Sequence, residues 1–262
     1  RCEPRGAGMI VLRSRQEIEL IRAACQIVAE VLQRLVEVVA PGVSTAELDA
    51  LAEKWTRERG AVPAFKGYNV GGRVYPSSLC VSINEEVVHG MPSPKRVLKT
   101  GDIVGLDFGA VYKGYYGDSA FTVAVGEVSE EADRLMRVTR ESLYCGIESM
   151  RVGNRIRDIS AAIQKHAESH GYGVVRDFVG HGIGQRLHEE PQVPNYVGAG
   201  QNPRLKEGMV LAIEPMVCEG TYEVEVLQDG WTAVTRDRRL AAHFEHSVAV
   251  TANGPEILTL PN

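Results

Sequence analysis

The sequence predicts an α+β fold, internally duplicated, with helices packed on one curved antiparallel sheet. Three observations predict it. Two stretches, Leu98-Lys99-Thr100-Gly101-Asp102-Ile103-Val104-Gly105-Leu106-Asp107 and Leu205-Lys206-Glu207-Gly208-Met209-Val210-Leu211-Ala212-Ile213-Glu214, align at one offset, and each reads as a Lys-x-Gly turn, a short apolar strand and a closing acid. Two helix patterns precede each stretch, so helix, helix, strands occurs twice at a period of about 110 residues, too long for a solenoid repeat. No linker-like run separates the two copies.

The elements follow in order. Ser14 with Glu17 forms a capping box, and Ile18, Ile21, Cys25, Val28, Leu32, Leu35 and Val39 continue at helical spacing to a stop at Pro41-Gly42. Ser44 with Glu47 repeats the signature, and Leu48, Leu51, Ala52 and Trp55 carry a second helix to Gly60. Residues 61–78, rich in glycine and aromatics, read as loop. Leu79–Ile83 is a short strand entering an acidic loop that ends at His89-Gly90. Ile103–Val111 and Ala120–Val125 read as strands, with Asp107 on the first, Asp118 just before the second, and Gly114 and Gly117 marking the turn region between them. The second copy opens at Ser129, with Glu130 and Glu131 at the positive end of a helix dipole, and that helix runs to about Ser149. Arg155–His170 is a further helix, and strands are expected at 174–181, 209–218, 223–227, 232–236 and 245–251.

Bulk properties narrow the function. The 262 residues are 44% apolar and 24% charged, as in an ordinary globular protein with a sizeable core. A net charge of −5 without a basic run predicts no nucleic-acid site. No uninterrupted apolar stretch reaches the roughly 18 residues that a membrane span needs, so no membrane is expected. Cys2, Cys25, Cys80, Cys145 and Cys218 are odd in number and form no C-x-x-C pair, which predicts free thiols in a reducing compartment and a cytoplasmic location. Residues 1–8 precede Met9 without periodicity and read as a tail or expression remnant.

The chemistry lies in acids that end or border apolar strands. Asp is depleted in strands, and a buried carboxylate is costly unless it is paired or metal-bound. Taken singly, Asp107, Asp118, Glu214 and Glu245 each have an ordinary reading as surface or cap residues. Together, each in or beside an apolar strand, they read as ligands. Gly105 and Gly109 beside Asp107, and Ala212 beside Glu214, leave room on the shared face. Four carboxylates balance the charge of two divalent cations, and with the imidazole of His181 the donor set suits Mn, Fe, Co or Zn. Such ions activate a water and polarise a carbonyl. Gly180-His181-Gly182-Ile183-Gly184 is no phosphate loop, because it lacks the Lys-Ser/Thr pair. His89 and His188 follow strand-ending turns, where an imidazole can hydrogen-bond a peptide group.

Val81-Ser82-Ile83-Asn84-Glu85, His89-Gly90, Asp107, Gly117-Asp118, Gly180-His181-Gly182-Ile183-Gly184, His188-Glu189-Glu190-Pro191, Ile213-Glu214-Pro215 and Glu245-His246, in this order and spacing, resemble methionine aminopeptidase of the bacterial type I over roughly residues 9–260. The resemblance implies the pita-bread fold, with residues 9–262 as a single catalytic domain of two pseudo-symmetric halves. It implies two divalent metal ions per chain, Asp107 and Asp118 serving one, His181 and Glu214 the other, with Asp118 and Glu245 bridging. Glu214 would also shuttle a proton, His188 contact the scissile carbonyl, and His89 the peptide nitrogen. The methionine pocket would include Phe65, Tyr68, Cys80 and Trp231. Leu187 stands where the family often has an aromatic residue, and Phe65 near a place often held by a small one. The implied reaction is hydrolytic removal of the initiator methionine from nascent polypeptides when the second residue is small. The ribosome is a further partner to consider, and a monomer is expected. Proline-specific peptidases of the same fold usually carry an additional N-terminal domain, for which this chain has no room. A binding module with a dead site would have lost ligands that are all present here.

Overall fold

The computed structural model describes residues 9–261. The tail expected at residues 1–8, and with it Cys2, lies outside them. Among the described residues, four α-helices form where the capping and periodicity place them: α1 (Arg15–Val38), α2 (Thr45–Glu58), α3 (Glu130–Glu148) and α4 (Ile156–Ser169). The capping boxes at Ser14/Glu17 and Ser44/Glu47 both form, each satisfying otherwise orphaned helix N–H groups.

One antiparallel sheet holds nine strands among the described residues. Its main members are β1 (Cys80–Ile83), β2 (Ile103–Tyr112), β3 (Tyr115–Ala124), β4 (Gly180–Gly182), β5 (Glu189–Val193), β6 (Val210–Ile213), β7 (Glu245–Thr251) and β8 (Gly254–Ile257). Their path is β2-β3-β7-β6-β4-β5, with β1 and the two-residue strand Val62–Pro63 on β2 and β8 on β7. The two copies therefore meet at the β3–β7 pair, where Ala120 lies opposite Glu245 and Ser119 opposite His246. Side chains reinforce this contact: Ser119 Oγ donates to the Glu245 carbonyl at 2.6 Å, and Ser247 Oγ to the Asp118 carbonyl at 2.8 Å.

Strand alternation separates core from site. On β2, Val104, Leu106, Phe108 and Ala110 are all fully buried and pack with Val28, Leu32 and Leu35 of α1 and Leu48, Ala52 and Trp55 of α2. In the second copy, Leu211, Ile213, Val248 and Val250 pack with Leu135, Leu143, Ile147, Ile159 and Ile163 of α3 and α4. Each fully buried side chain of this kind stabilises the fold by about 1.5–3 kcal/mol. Residues between them, Asp107 among them, face the other way.

Several local readings change. β3 begins at Tyr115, so Asp118 lies within the strand and Gly117 is no turn residue. A Cβ on Gly117 would come within 2.6 Å of the Cys25 backbone nitrogen; the glycine lets α1 approach the sheet closely. The expected strand 209–218 breaks at Glu214-Pro215 into β6 and Met216–Cys218, because proline supplies no ladder donor. The acidic stretch before His89 holds a short strand, Glu86–Val88, and the 61–78 loop holds three two-residue strands.

Candidate metal centre

Five side chains meet on adjacent strands, and their spatial order follows the sheet. Asp107 comes from β2, Asp118 from β3, Glu245 from β7, Glu214 from the break after β6, and His181 from β4. One ligand atom each from Asp118, His181 and Glu245 lies within 4.8 Å of the others. His181 Nε2 is 3.4 Å from Glu214 Oε1 and 3.9 Å from Asp118 Oδ2. Asp107 is close enough to raise the proton affinity of both Asp118 and Glu245.

Glycines flank His181 because the strands beside it press close. A Cβ on Gly180 would strike the Ala212 carbonyl, and one on Gly182 the Glu190 carbonyl. The Gly-His-Gly run thus serves tight strand packing on both sides of the imidazole. His181 Nδ1 lies 2.9 Å from the Gly182 carbonyl. A carbonyl only accepts, so Nδ1 carries the proton and Nε2 presents its lone pair to the acids.

Charge makes the cluster expensive without a cation. Burial pushes Asp107 up to about 7. It pushes Asp118 and Glu245 well above their ordinary range, with Glu245 and Asp107 adding repulsion at Asp118, and Glu214 and Asp107 at Glu245. Asp118 Oδ1 and Glu245 Oε1 are buried without a hydrogen-bond partner. Buried carboxylate oxygens that no N–H or O–H satisfies, set around an imidazole lone pair, match the donor set of a divalent metal. The residues present therefore fit such an ion.

His188 and His89 stand at the rim. His188 precedes β5, and Glu189 Oε1 accepts the backbone N–H groups of Gln185 and Arg186 at 2.9 and 3.0 Å, holding the turn. Its ring lies 4.3 Å from that of His181, and its Nδ1 hydrogen-bonds the Tyr68 hydroxyl. His89 has φ +60°, unusual for a non-glycine residue and typical of functional loops. Its ring packs edge-on to Phe178 at 5.3 Å, and desolvation lowers its pKa to about 4.

The four expected pocket residues belong to one apolar cluster: Phe65, Cys80, Tyr68 and Trp231 pack with Ala64, Tyr75, Met91 and Leu187. Trp231 arrives from far along the chain because Ala233 pairs with Val88, and it meets Tyr75 edge-on at 5.2 Å. Tyr75 donates to the backbone of Leu79 and Gly90, tying this cluster to the His89 turn. The sequence reading missed Tyr75, Met91 and Ala64, and it missed His243, whose Nε2 is 3.9 Å from Glu214 Oε2. Asn195 was also missed; its Nδ2 donates to the Glu214 carbonyl at 3.0 Å, which fixes the strand break. Among the described residues Cys25, Cys80, Cys145 and Cys218 are free, and no helix is long and apolar enough to cross a membrane.

Comparison with known proteins agrees with this geometry. A model of metallopeptidase family M24 matches residues 19–252. Methionine aminopeptidase of Clostridium acetobutylicum is 55% identical over 252 residues, 96% of this chain and 99% of the relative. The crystal structure of methionine aminopeptidase from Thermotoga maritima superposes with a TM-score of 0.92 at 48% identity, covering 96% of this chain and 100% of that one. The prolidase of Pyrococcus horikoshii superposes at 0.78 with 26% identity, covering 97% of this chain and 65% of that one. The expected pita-bread fold is thus the fold these proteins share. With the match running from residue 19 to residue 252 and more than half of all aligned residues identical to a relative covered almost end to end, the chain belongs to metallopeptidase family M24, within its methionine aminopeptidase group.

Proposed function

We propose that the protein removes the N-terminal initiator methionine from nascent proteins and peptides by metal-dependent hydrolysis, preferring a small second residue. The observation that carries this reading is the convergence of Asp107, Asp118, Glu245, Glu214 and His181 on consecutive strands, with Cys80 of the apolar cluster directly opposite Asp107. Residues 9–262 act in it as a single catalytic domain of two pseudo-symmetric halves.

Asp107 and Asp118 would hold one divalent ion and His181 and Glu214 a second, with Asp118 and Glu245 serving both. Divalent ions supply Lewis acidity, lowering the pKa of water and polarising a carbonyl. Glu214 takes the proton of the attacking water and returns it to the leaving amine, the role the family resemblance implies for it. His188 is oriented by Tyr68 and donates to the scissile carbonyl oxygen as negative charge develops there. His89 remains neutral at physiological pH and hydrogen-bonds the nitrogen of the scissile peptide. Phe65, Tyr68, Cys80 and Trp231, with Tyr75, Met91 and Leu187, enclose the methionine side chain. An unbranched thioether suits such an irregular apolar wall. A free α-amine adjoins a peptide bond only at a chain N-terminus, so a centre that holds that amine beside the scissile bond removes one residue at a time, and the preference for methionine stops it there.

The test is a peptide panel incubated with protein reconstituted in Co, Mn, Fe or Zn, with products read by mass spectrometry. Loss of the first residue alone from Met-Gly-Met-type peptides, abolished by chelation, is the expected result. Cleavage of Xaa-Pro bonds in its place would shift the reading to a prolidase, and binding without cleavage in every metal would make the protein a binding module.

A further inference from the structure

Outside the acid-lined centre, a second group of ligating side chains lies between α3 and α4. His166 and His170 are one helical turn apart, so both rings leave the same side of α4. Glu141 of α3 faces them. One ligand atom from each of the three lies within 4.8 Å of the others, and all three residues are half-buried.

We infer that Glu141, His166 and His170 bind one transition-metal dication of the zinc type, tying α3 to the end of α4. This inference does not depend on the peptidase reading.

The Glu141–His166 distance is that of two ligands on one ion, and a ligand atom of His170 lies within 4.8 Å of both. His166 Nε2 is 3.1 Å from Glu141 Oε2, and two ligands of a tetrahedral zinc, bonded at about 2.05 Å, sit ~3.3 Å apart. The His166 and His170 rings lie 4.7 Å apart at 42°. His170 Nδ1 is 2.8 Å from the His166 carbonyl, which can only accept. Nδ1 therefore holds the proton, leaving the lone pair on Nε2, the arrangement that orients metal-bound imidazoles. Arg137 donates to Glu141 Oε1 at 3.1 Å, so the other oxygen, Oε2, is the one turned to His166. Two nitrogens and one carboxylate oxygen favour Zn, Ni or Cu over Mg or Ca.

Position favours a cation as well. His170 caps the C-terminus of α4, where carbonyls carry partial negative charge. Arg134 and Arg137 oppose this with positive charge nearby, which points to a moderate affinity below that of a four-ligand structural site. In the metal-free protein the same residues make an ordinary His166–Glu141 contact. Zinc would replace the shared proton between them.

The experiment is equilibrium dialysis of the full chain against ZnCl2, with metal counted per chain, for the wild type, His166→Ala/His170→Ala and Glu141→Gln. None of the three positions belongs to the catalytic machinery. The wild type should bind one more zinc per chain than the double variant. Glu141→Gln should weaken that extra site by about 10–100-fold. At zinc a hundredfold above Kd, the wild-type Tm should rise roughly 5 °C further than that of the double variant. If the double variant does not fold, as judged by circular dichroism, Glu141→Gln alone carries the test. Equal stoichiometry and equal Tm shifts across the folded variants would overturn the site and leave only an ion pair.

Discussion

The two copies of the helix, helix, strands unit meet along β3 and β7, yet they contribute differently to the centre. The first copy supplies Asp107 and Asp118 from an unbroken hairpin of two ten-residue strands paired in continuous register. The second supplies Glu245 from an unbroken strand, but Glu214 from a break held by Pro215 and Asn195, and His181 from a three-residue strand between glycines. Depth divides them another way. Asp118 is 4% exposed and Glu245 2%, whereas Asp107 and Glu214 are half-buried. The two residues at the β3–β7 contact lie deepest, and the outer pair, one from each copy, is somewhat less buried. Duplication thus sets where the acids stand, and Glu214, the proposed proton shuttle, is the one that sits at an irregularity of the second copy.

The sharpest way to break this comparison is to neutralise the two outer acids one at a time. Glu214→Gln should lower kcat by about 10³-fold, with the far-UV spectrum unchanged and no recovery in excess metal. Asp107→Asn, its counterpart in the first copy, should lose metal affinity but keep the proton acceptor, so raising the metal concentration should restore part of its activity. Equal rescue of both variants would end the assignment of the proton to Glu214.

Metal removal tests the depth argument. Burial raises the folded-state pKa of Asp107 from 3.8 to about 7, and it raises those of Asp118 and Glu245 well above the ordinary carboxylate range. The folded metal-free protein therefore binds more protons than the unfolded chain, so its stability falls as pH rises. The acids favour folding most fully below about pH 4, and their contribution is lost through about pH 7 and above. The chelated protein should lose on the order of 5 °C in Tm across that window, and a divalent metal should reverse the loss. A chelated protein whose Tm is flat from acid to neutral pH would mean that the acids are solvated and the centre is not closed.

A smaller effect is expected at the rim. His188→Ala and His89→Ala should each lower kcat by about 10²-fold. Because the pKa of His89 is held near 4, its loss should cost the same factor throughout roughly pH 6–8, where the imidazole is already neutral. A His89→Ala defect that grows or disappears within that range would mean that the group titrates there.

What was legible in the sequence follows the same division. The helices could be read because their caps and periodicity are local, and the four candidate acids because an acid in or beside an apolar strand is a local anomaly; His181 stood out by its glycine-rich run. The duplication was visible for that reason too. Asp118 was placed just before its strand because Gly117 resembles a turn residue, whereas it makes room for α1, a contact between distant segments. Tyr75, Met91 and Ala64 look like plain core in sequence; only the pairing of Ala233 with Val88 brings Trp231 to them and completes the cluster proposed to hold methionine. His243 reaches Glu214 across two short strands, Met216–Cys218 and Ala241–His243, whose pairing no local pattern announces. Glu141, His166 and His170 sit on polar helix faces that read as solvated until α3 and α4 pack together.

The finest test separates two glycines that the sequence treats alike. Gly105 and Gly109 share the Asp107 face of β2, and both were expected to leave room for the centre. A Cβ on Gly105 would meet its neighbours no closer than 3.6 Å, ordinary contact. One on Gly109 would lie 2.9 Å from Phe65 Cε1, 3.2 Å from Ala64 Cβ and 3.3 Å from Asp118 Oδ1. Gly109 lies directly opposite Asp118 in the hairpin, so the carboxylate cannot withdraw without disturbing the ladder. Gly105→Ala should change stability by no more than about 0.5 kcal/mol. Gly109→Ala should cost about 1–3 kcal/mol, weaken metal binding and raise KM together, because the added methyl presses on the centre and the pocket at once. Phe65→Ala removes the closest obstacle. In the double variant the stability loss of Gly109→Ala should shrink while the metal defect, which arises at Asp118, persists; chemical denaturation and metal titration measure the two separately. If both defects vanish together, Gly109 acts only through Phe65, and the close fit belongs to the pocket alone.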